Sequence, residues 1–374
     1  MFRILFLFIL VLHGLIHLIG FVTAWRLYTV KDFSEPAWLT LSETRLKIVG
    51  MLWLVSSILF VLTSMVYGLH KEWWWVVAFG AIVLSQLLIF LYWKDAKAGT
   101  VINIVILMVA IVAAANWHFT NRVNTEVDIL FQHESKEGQR VEEAQLSHLP
   151  MPVQRWLRRS GIVGKEIIQS VRLKQEGLMR MKPSQKNWIK AQAVQYITID
   201  KPGFVWSVKM DVIPLLSING RDLYYNGHGQ MAIKLFSLVN IVNAADPKID
   251  QGSLQRWLAE IGWYPSAALN PYIQWDGINE AAAKATVTEG GTSGSVIFFF
   301  TSDGDLLRME ADRYMGGGNK ATLEKWKVQS KAYGSFNGVR IPVESEAAWH
   351  LKDGEFIWYK LKIKDVEFNK PQRF

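Results

Sequence analysis

The sequence predicts a membrane α-helical anchor of four spans followed by an α+β soluble domain, in which a curled antiparallel sheet (an incomplete β-barrel) wraps a central helix. Three observations predict it. Four apolar runs of spanning length fill the first third of the 374 residues. From Ile167 onward, apolar residues recur at every second position. One amphipathic helix, inside DQGSLQRWLAEIGWYPSAALNPYIQWD (250–276), interrupts that strand-like stretch.

The apolar runs are about Phe2–Trp25, Leu46–Leu69, Trp73–Trp93 and Thr100–Trp117. Each approaches the roughly 20 residues that a helix needs to cross the hydrocarbon core. Tryptophans at their ends, among them Trp25, Trp73, Trp93 and Trp117, match interface anchors. Orientation follows from the positive charges. The first and third loops hold Arg26, Lys31, Arg45, Lys47, Lys94 and Lys97, against Arg3, Lys71 and Arg122 on the other side. That bias puts the two loops in the cytoplasm. The chain is therefore expected to be multi-pass in the cytoplasmic membrane, with the N-terminus and everything after Trp117 on the extracytoplasmic side. A cleaved signal peptide is disfavoured for the first run, which is long, holds two histidines and lacks a small-x-small exit.

His13 and His17 lie four apart on one face of the first span, and ionisable groups at that depth are candidates for function. As haem or metal ligands they would need further partners. The plainer reading is neutral imidazoles bonded across the bundle to Asn103, Gln86 or Ser56.

The organisation expected is residues 1–117 as the helical region, 118–148 as a charged stalk and 149–374 as the β domain. Pro152 suits the first turn of a short helix, VQRWLRRSG, which Gly161 ends. Val171, Leu173, Met179 and Met181 then share one parity. Phe204, Trp206, Val208 and Met210 alternate with polar residues, as do Ile357, Tyr359, Leu361 and Ile363. One buried and one wet face fit an antiparallel sheet. Asp303-Gly304, Asn337-Gly338 and Asp353-Gly354 are hairpin-turn dipeptides. About ten strands are expected, five of them in the last 90 or so residues. Leu254, Trp257, Leu258 and Ile261 form the apolar face of the central helix, which Asp250 or Ser253 would cap and Gly262 would end.

The chain has no cysteine, which excludes disulfides, thiolate metal sites and a thiol nucleophile. The net charge is +8, and residues 145–374 hold 30 Lys and Arg against 22 Asp and Glu. Such a surface favours anionic lipid head groups. No basic stripe or recognition motif points to nucleic acid. Gly227-His228-Gly229 lacks the third glycine of a dinucleotide fingerprint, and Gly316-Gly317-Gly318 sits between strands as a hairpin loop.

Arg256 and Glu260 are spaced i, i+4 on the central helix, and Arg221, Asp222, His228, Asp276 and Arg313 could meet them if the sheet wraps it. Such a group is a buried ion-pair network that fixes the helix on the sheet, a set of simple surface pairs or, with Glu260, Asp276 and His228, acid–base machinery.

The segments LPMPVQRWLRRSG (149–161), GRDLYYNGHGQM (220–231), RWLAEIGWYPSAAL (256–269), IQWDGI (273–278) and ADRY (311–314) resemble a bacterial family of membrane-associated proteins catalogued as a domain of unknown function. The pattern of residues 332–369 is similar to the last strands of periplasmic lipoprotein-carrier proteins, which implies a half-barrel with an apolar cavity for acyl chains. This chain departs from those carriers in its four spans and its shorter helical part.

The expected function is therefore non-catalytic binding of a lipid, an acylated molecule or a lipoprotein, with the bilayer as the other partner and no cofactor. Trp206, Met210, Arg221, Trp257, Trp263, Trp275, Phe298 and Trp326 are the candidate ligand residues. An envelope hydrolase or isomerase, or a partner-binding module, are the alternatives.

Overall fold

The computed structural model describes residues 2–28, 42–132, 138–213 and 216–374. Lys31 and part of the charged stalk (133–137) lie outside them. The chain divides into two compact units, Met1–Thr120 and Asn121–Phe374.

The first unit holds α1 (Phe2–Ala24), α2 (Glu43–Gly68), α3 (Trp74–Leu91), a single turn α4 (Trp93–Ala96) and most of α5 (Gly99–Leu130). α1, α2, α3 and α5 are long and apolar enough to span a membrane. Their outer faces keep Ile4, Phe8, Ile58, Leu87 and Val101 exposed, as a lipid-facing surface does. Inside, glycines bring α1 onto α2: a Cβ on Gly20 would lie 2.4 Å from the Trp53 ring, and one on Gly14 3.1 Å from Phe60. α5 runs on to Leu130, so the first part of the charged stalk continues a helix.

The second unit begins with the end of α5 and a 3₁₀ turn at Glu143–Leu146, followed by α6 (Met151–Ser160), which has Pro152 in its first turn and Gly161 in the left-handed conformation at its end. Among the described residues thirteen strands follow: β1 (Ser170–Met179), β2 (Ile189–Thr198), β3 (Gly203–Ile213), β4 (Leu216–Tyr225), β5 (His228–Leu235), β6 (Val239–Ala244), β7 (Ile273–Asn279), β8 (Ala282–Glu289), β9 (Thr292–Phe300), β10 (Leu306–Met315), β11 (Thr322–Phe336), β12 (Val339–Leu351) and β13 (Gly354–Phe368). They form one antiparallel sheet in the order β6-β5-β4-β3-β2-β1-β13-β12-β11-β10-β9-β8-β7. Two meanders thus join where the first strand pairs with the last, Val171 opposite Phe368. The count exceeds the ten expected because β4 and β5 break the alternation with Gly220, Arg221 and Gly229.

The central helix is α7 (Pro247–Ala259), continued by single 3₁₀ turns at Glu260–Trp263 and Pro265–Leu269. Its cap is Asp246, which accepts from the backbone N–H of Lys248 at 2.9 Å; Pro247 fills the first helical position. Neither Asp250 nor Ser253 caps it. Asp250 lies one turn inside and instead accepts from the Gly229 N–H of β5 at 2.6 Å. α7 touches β4 and β5 from one meander and β8, β9 and β10 from the other, so it fills the curl of the sheet. At one end the hairpin turns of the two meanders meet. Gly227 (φ 83°) and Gly290 (φ 57°) pack so closely that a Cβ on either would lie 3.1 Å from the other's Cα. Only glycine fits there.

Candidate functional site

Between the inner face of the sheet and α7 lies a cavity of about 330 Å³. Its wall holds six of the chain's 11 methionines: Met179, Met181, Met210, Met231, Met309 and Met315. Five tryptophans share it: Trp206, Trp263, Trp326, Trp349 and Trp358. The two residue types do different work. Methionine is unbranched and polarisable, so a methionine wall reshapes around an irregular apolar guest. Tryptophan gives broad, stiff surface with one polar edge. Trp206 Nε1 donates to Gln175 Oε1 at 3.1 Å and Trp263 Nε1 to the Pro342 carbonyl at 3.1 Å, which fixes both rings.

A polar cluster forms part of the lining. Strand register sets Gln195 and Asp222 on either side of Trp206, all on the inner face. From above, α7 sends Arg256 into this row. Its Nε donates to Glu260 Oε1 at 2.8 Å, Nη1 to Asp222 Oδ2 at 2.7 Å and Nη2 to Gln195 Oε1 at 3.4 Å. Gln195 Nε2 donates to the other Glu260 oxygen at 2.5 Å. The guanidinium also stacks over Phe204 and Trp206, 4.8 Å from each ring centre. Burial pulls the Arg256 guanidinium down, and Glu260 with Asp222 more than offsets it, so its pKa stands above the usual value. Burial raises the Asp222 carboxyl, against the pull of Arg256, Arg313 and Arg221. All three guanidinium nitrogens that bond are satisfied within the protein, so this group holds α7 on the sheet.

Arg313 on β10 differs. Its Nε donates to the Gly252 carbonyl of α7 at 2.8 Å, and its guanidinium lies 4.8 Å from the Trp326 ring centre and 5.7 Å from that of Trp349. No carboxylate comes within 4 Å of it among the described residues. Burial and the charge of Arg256 lower its pKa to about 10.

Of the residues singled out from sequence, Trp206, Met210, Asp222, Arg256, Glu260, Trp263, Arg313 and Trp326 line the cavity. Trp257 and Phe298 lie outside the lining as filled core, each fully buried. Trp257 donates to the Thr198 carbonyl, and Phe298 packs on Trp156 and Trp275. Trp275 is half-buried against that core, donating to the Ala268 carbonyl. Arg221 belongs to the opposite face of β4 from Asp222 and pairs with Glu126 at 3.3 Å. His228 is exposed beside Asp250 at 3.8 Å, and Asp276 is exposed on the edge strand β7. Glu260, Asp276 and His228 therefore do not converge. Sequence reading missed most of the methionine wall, as well as Gln175, Trp349, Trp358 and Tyr359. In a strand, a methionine facing a cavity reads the same as one in packed core.

In the first unit, His13 Nε2 bonds Asn103 Oδ1 at 2.9 Å. His17 uses both nitrogens, Nδ1 on the His13 carbonyl and Nε2 on Ser85 Oγ, each at 2.8 Å. Asn103 then donates to Ser85 and Gln86. Ser85, not Ser56, is the hydroxyl partner. The network ties α1, α3 and α5 together.

Fold and site define a class: a half-barrel enclosing an apolar cavity, in a chain with four helices of membrane-spanning length among its described residues. The chain belongs to a family of unknown function, DUF6544, which matches residues 139–361. Among solved structures, it is similar to a LolA superfamily protein from Nitrosomonas europaea, at 11% identity over 58% of this chain and 94% of that one, with a TM-score of 0.33. A search of curated proteins found no match.

Proposed function

We propose that the half-barrel binds the apolar part of a lipid or acylated molecule, without doing chemistry on it, and that the spans tether it to the cytoplasmic membrane. The observation that carries this reading is the cavity of about 330 Å³ walled by methionine and tryptophan. Pockets that enclose small ligands run from ~300 to 1,000 Å³ and are mostly apolar with few polar groups. The excess of Lys and Arg in the first and third loops favours the extracytoplasmic side for the half-barrel. A hydrolase or isomerase built on Glu260, Asp276 and His228 is not favoured. Only Glu260 reaches the cavity, and both its oxygens are held by Arg256 and Gln195.

The test is native mass spectrometry of the full chain, released from detergent micelles after incubation with an envelope lipid extract. One acyl-bearing adduct per chain is expected. Ala347→Trp should lose it, because Ala347 lies in the cavity wall and the larger ring fills the space. An apo mass unchanged by the extract would contradict the reading.

A further inference from the structure

The cavity has an uneven charge balance. Its lining holds four cations, Arg180, Lys248, Arg256 and Arg313, and two carboxylates, Asp222 and Glu260. Both carboxylates are bonded to Arg256. Arg180 spends Nε and Nη2 on the Ile357 carbonyl, and Lys248 donates to the Gly318 carbonyl at 3.0 Å. Arg313 alone of the three arginines keeps both Nη groups without a protein acceptor among the described residues. Those groups are not sealed in the protein, since Arg313 borders the cavity space. The surroundings hold them in place. Gly252 makes room for the guanidinium: a Cβ there would lie 3.3 Å from Nε and 3.7 Å from Nη2. Trp326, whose ring packs on the guanidinium, is itself buried and keeps its indole N–H without a partner.

A cation held between aromatic rings and short of acceptors costs free energy unless an anion meets it. A guanidinium fork matches a carboxylate or phosphate with two parallel hydrogen bonds. We propose that Arg313 anchors an anionic ligand head, so that the cavity takes a single-chain amphiphile with a free carboxylate or phosphate rather than an esterified or amide-linked chain. A volume at the small end of the range for ligand pockets suits one chain. This inference rests on the lipid-binding reading and narrows it.

The test is binding of tritiated palmitate to the immobilised full chain in maltoside micelles, competed by palmitate, methyl palmitate and palmitoyl lysophosphatidate. A charged hydrogen bond predicts that palmitate competes about ten- to hundred-fold better than its methyl ester. Arg313→Gln should erase that difference, with the ester's affinity unchanged, and Arg313→Lys should keep part of it. If lysophosphatidate outcompetes palmitate and Arg313→Gln weakens both, the anchor stands and the head is a phosphate. An ester that competes as well as the acid overturns the anchor and leaves lipid binding intact. Failure of all three lipids to bind overturns both readings. If Arg313→Gln does not fold, the acid-to-ester ratio in the unaltered chain still decides.

Discussion

Two arginines in one cavity wall do different work. Arg256 is closed in upon Asp222, Glu260 and Gln195, and its removal would strand two carboxylates. Breaking a buried pair from one side costs about 3–5 kcal/mol. Arg256→Ala is therefore expected to lower unfolding stability by that amount in denaturant titration, while Arg313→Gln, which loses the Gly252 hydrogen bond but strands no carboxylate, should cost less. The i, i+4 spacing made the Arg256–Glu260 contact legible in the sequence. The place of Asp222 is not legible in the same way, because it depends on the β3–β4 register. A second residue-scale prediction concerns Asp305, which accepts from Arg340 at 2.9 and 2.8 Å and has Arg159 at 3.6 Å. The Arg340 hydrogen bond holds its carboxyl below the usual range. A depressed folded pKa gives stability that is present above about pH 4 and lost as pH falls through the folded value. Melting curves of Asp305→Asn should match the parent's more closely at pH 3 than at pH 7. An equal gap at both values would refute the linkage.

At the scale of elements, α7 depends on a cap that the sequence reading placed one turn too late. Asp246 serves the first turn of α7 and also accepts from the Gly318 N–H at 2.8 Å, binding the β10–β11 turn to the helix. Asp246→Ala should cost about 0.5–2 kcal/mol for the cap alone, measured by chemical denaturation. Gly227→Ala should also destabilise, since it puts a side chain at φ 83° and 3.1 Å from the Gly290 Cα. The hairpin dipeptides Asn337-Gly338 and Asp353-Gly354 were legible because their backbone need is local: Asn337 has φ 50° and Gly354 φ 113°. The contact of Gly227 with Gly290 was not, because two turns 63 residues apart meet only once the sheet has curled.

For the whole molecule, the four apolar helices and the curled sheet were legible from period and length, since both patterns are written in consecutive residues. The volume of the cavity was not, because it depends on the difference between the volume that the sheet encloses and the volume that its side chains fill. Sidedness can be tested directly, as the chain has no cysteine of its own. Lys352→Cys, exposed in the β12–β13 turn, should react with a membrane-impermeant maleimide on intact spheroplasts, and Lys97→Cys should not. The reverse pattern would invert the proposed topology.

The central claim is that the cavity holds an acyl chain, and photo-crosslinking in living cells tests it most directly. Cells expressing the full chain would be fed a fatty acid bearing a diazirine in its tail, irradiated, and the labelled peptides mapped. Label is expected on the strands carrying Met210, Met231 and Met309, and it should be lost in Ala347→Trp. Label confined to the apolar helices, with none on the half-barrel, would contradict the account.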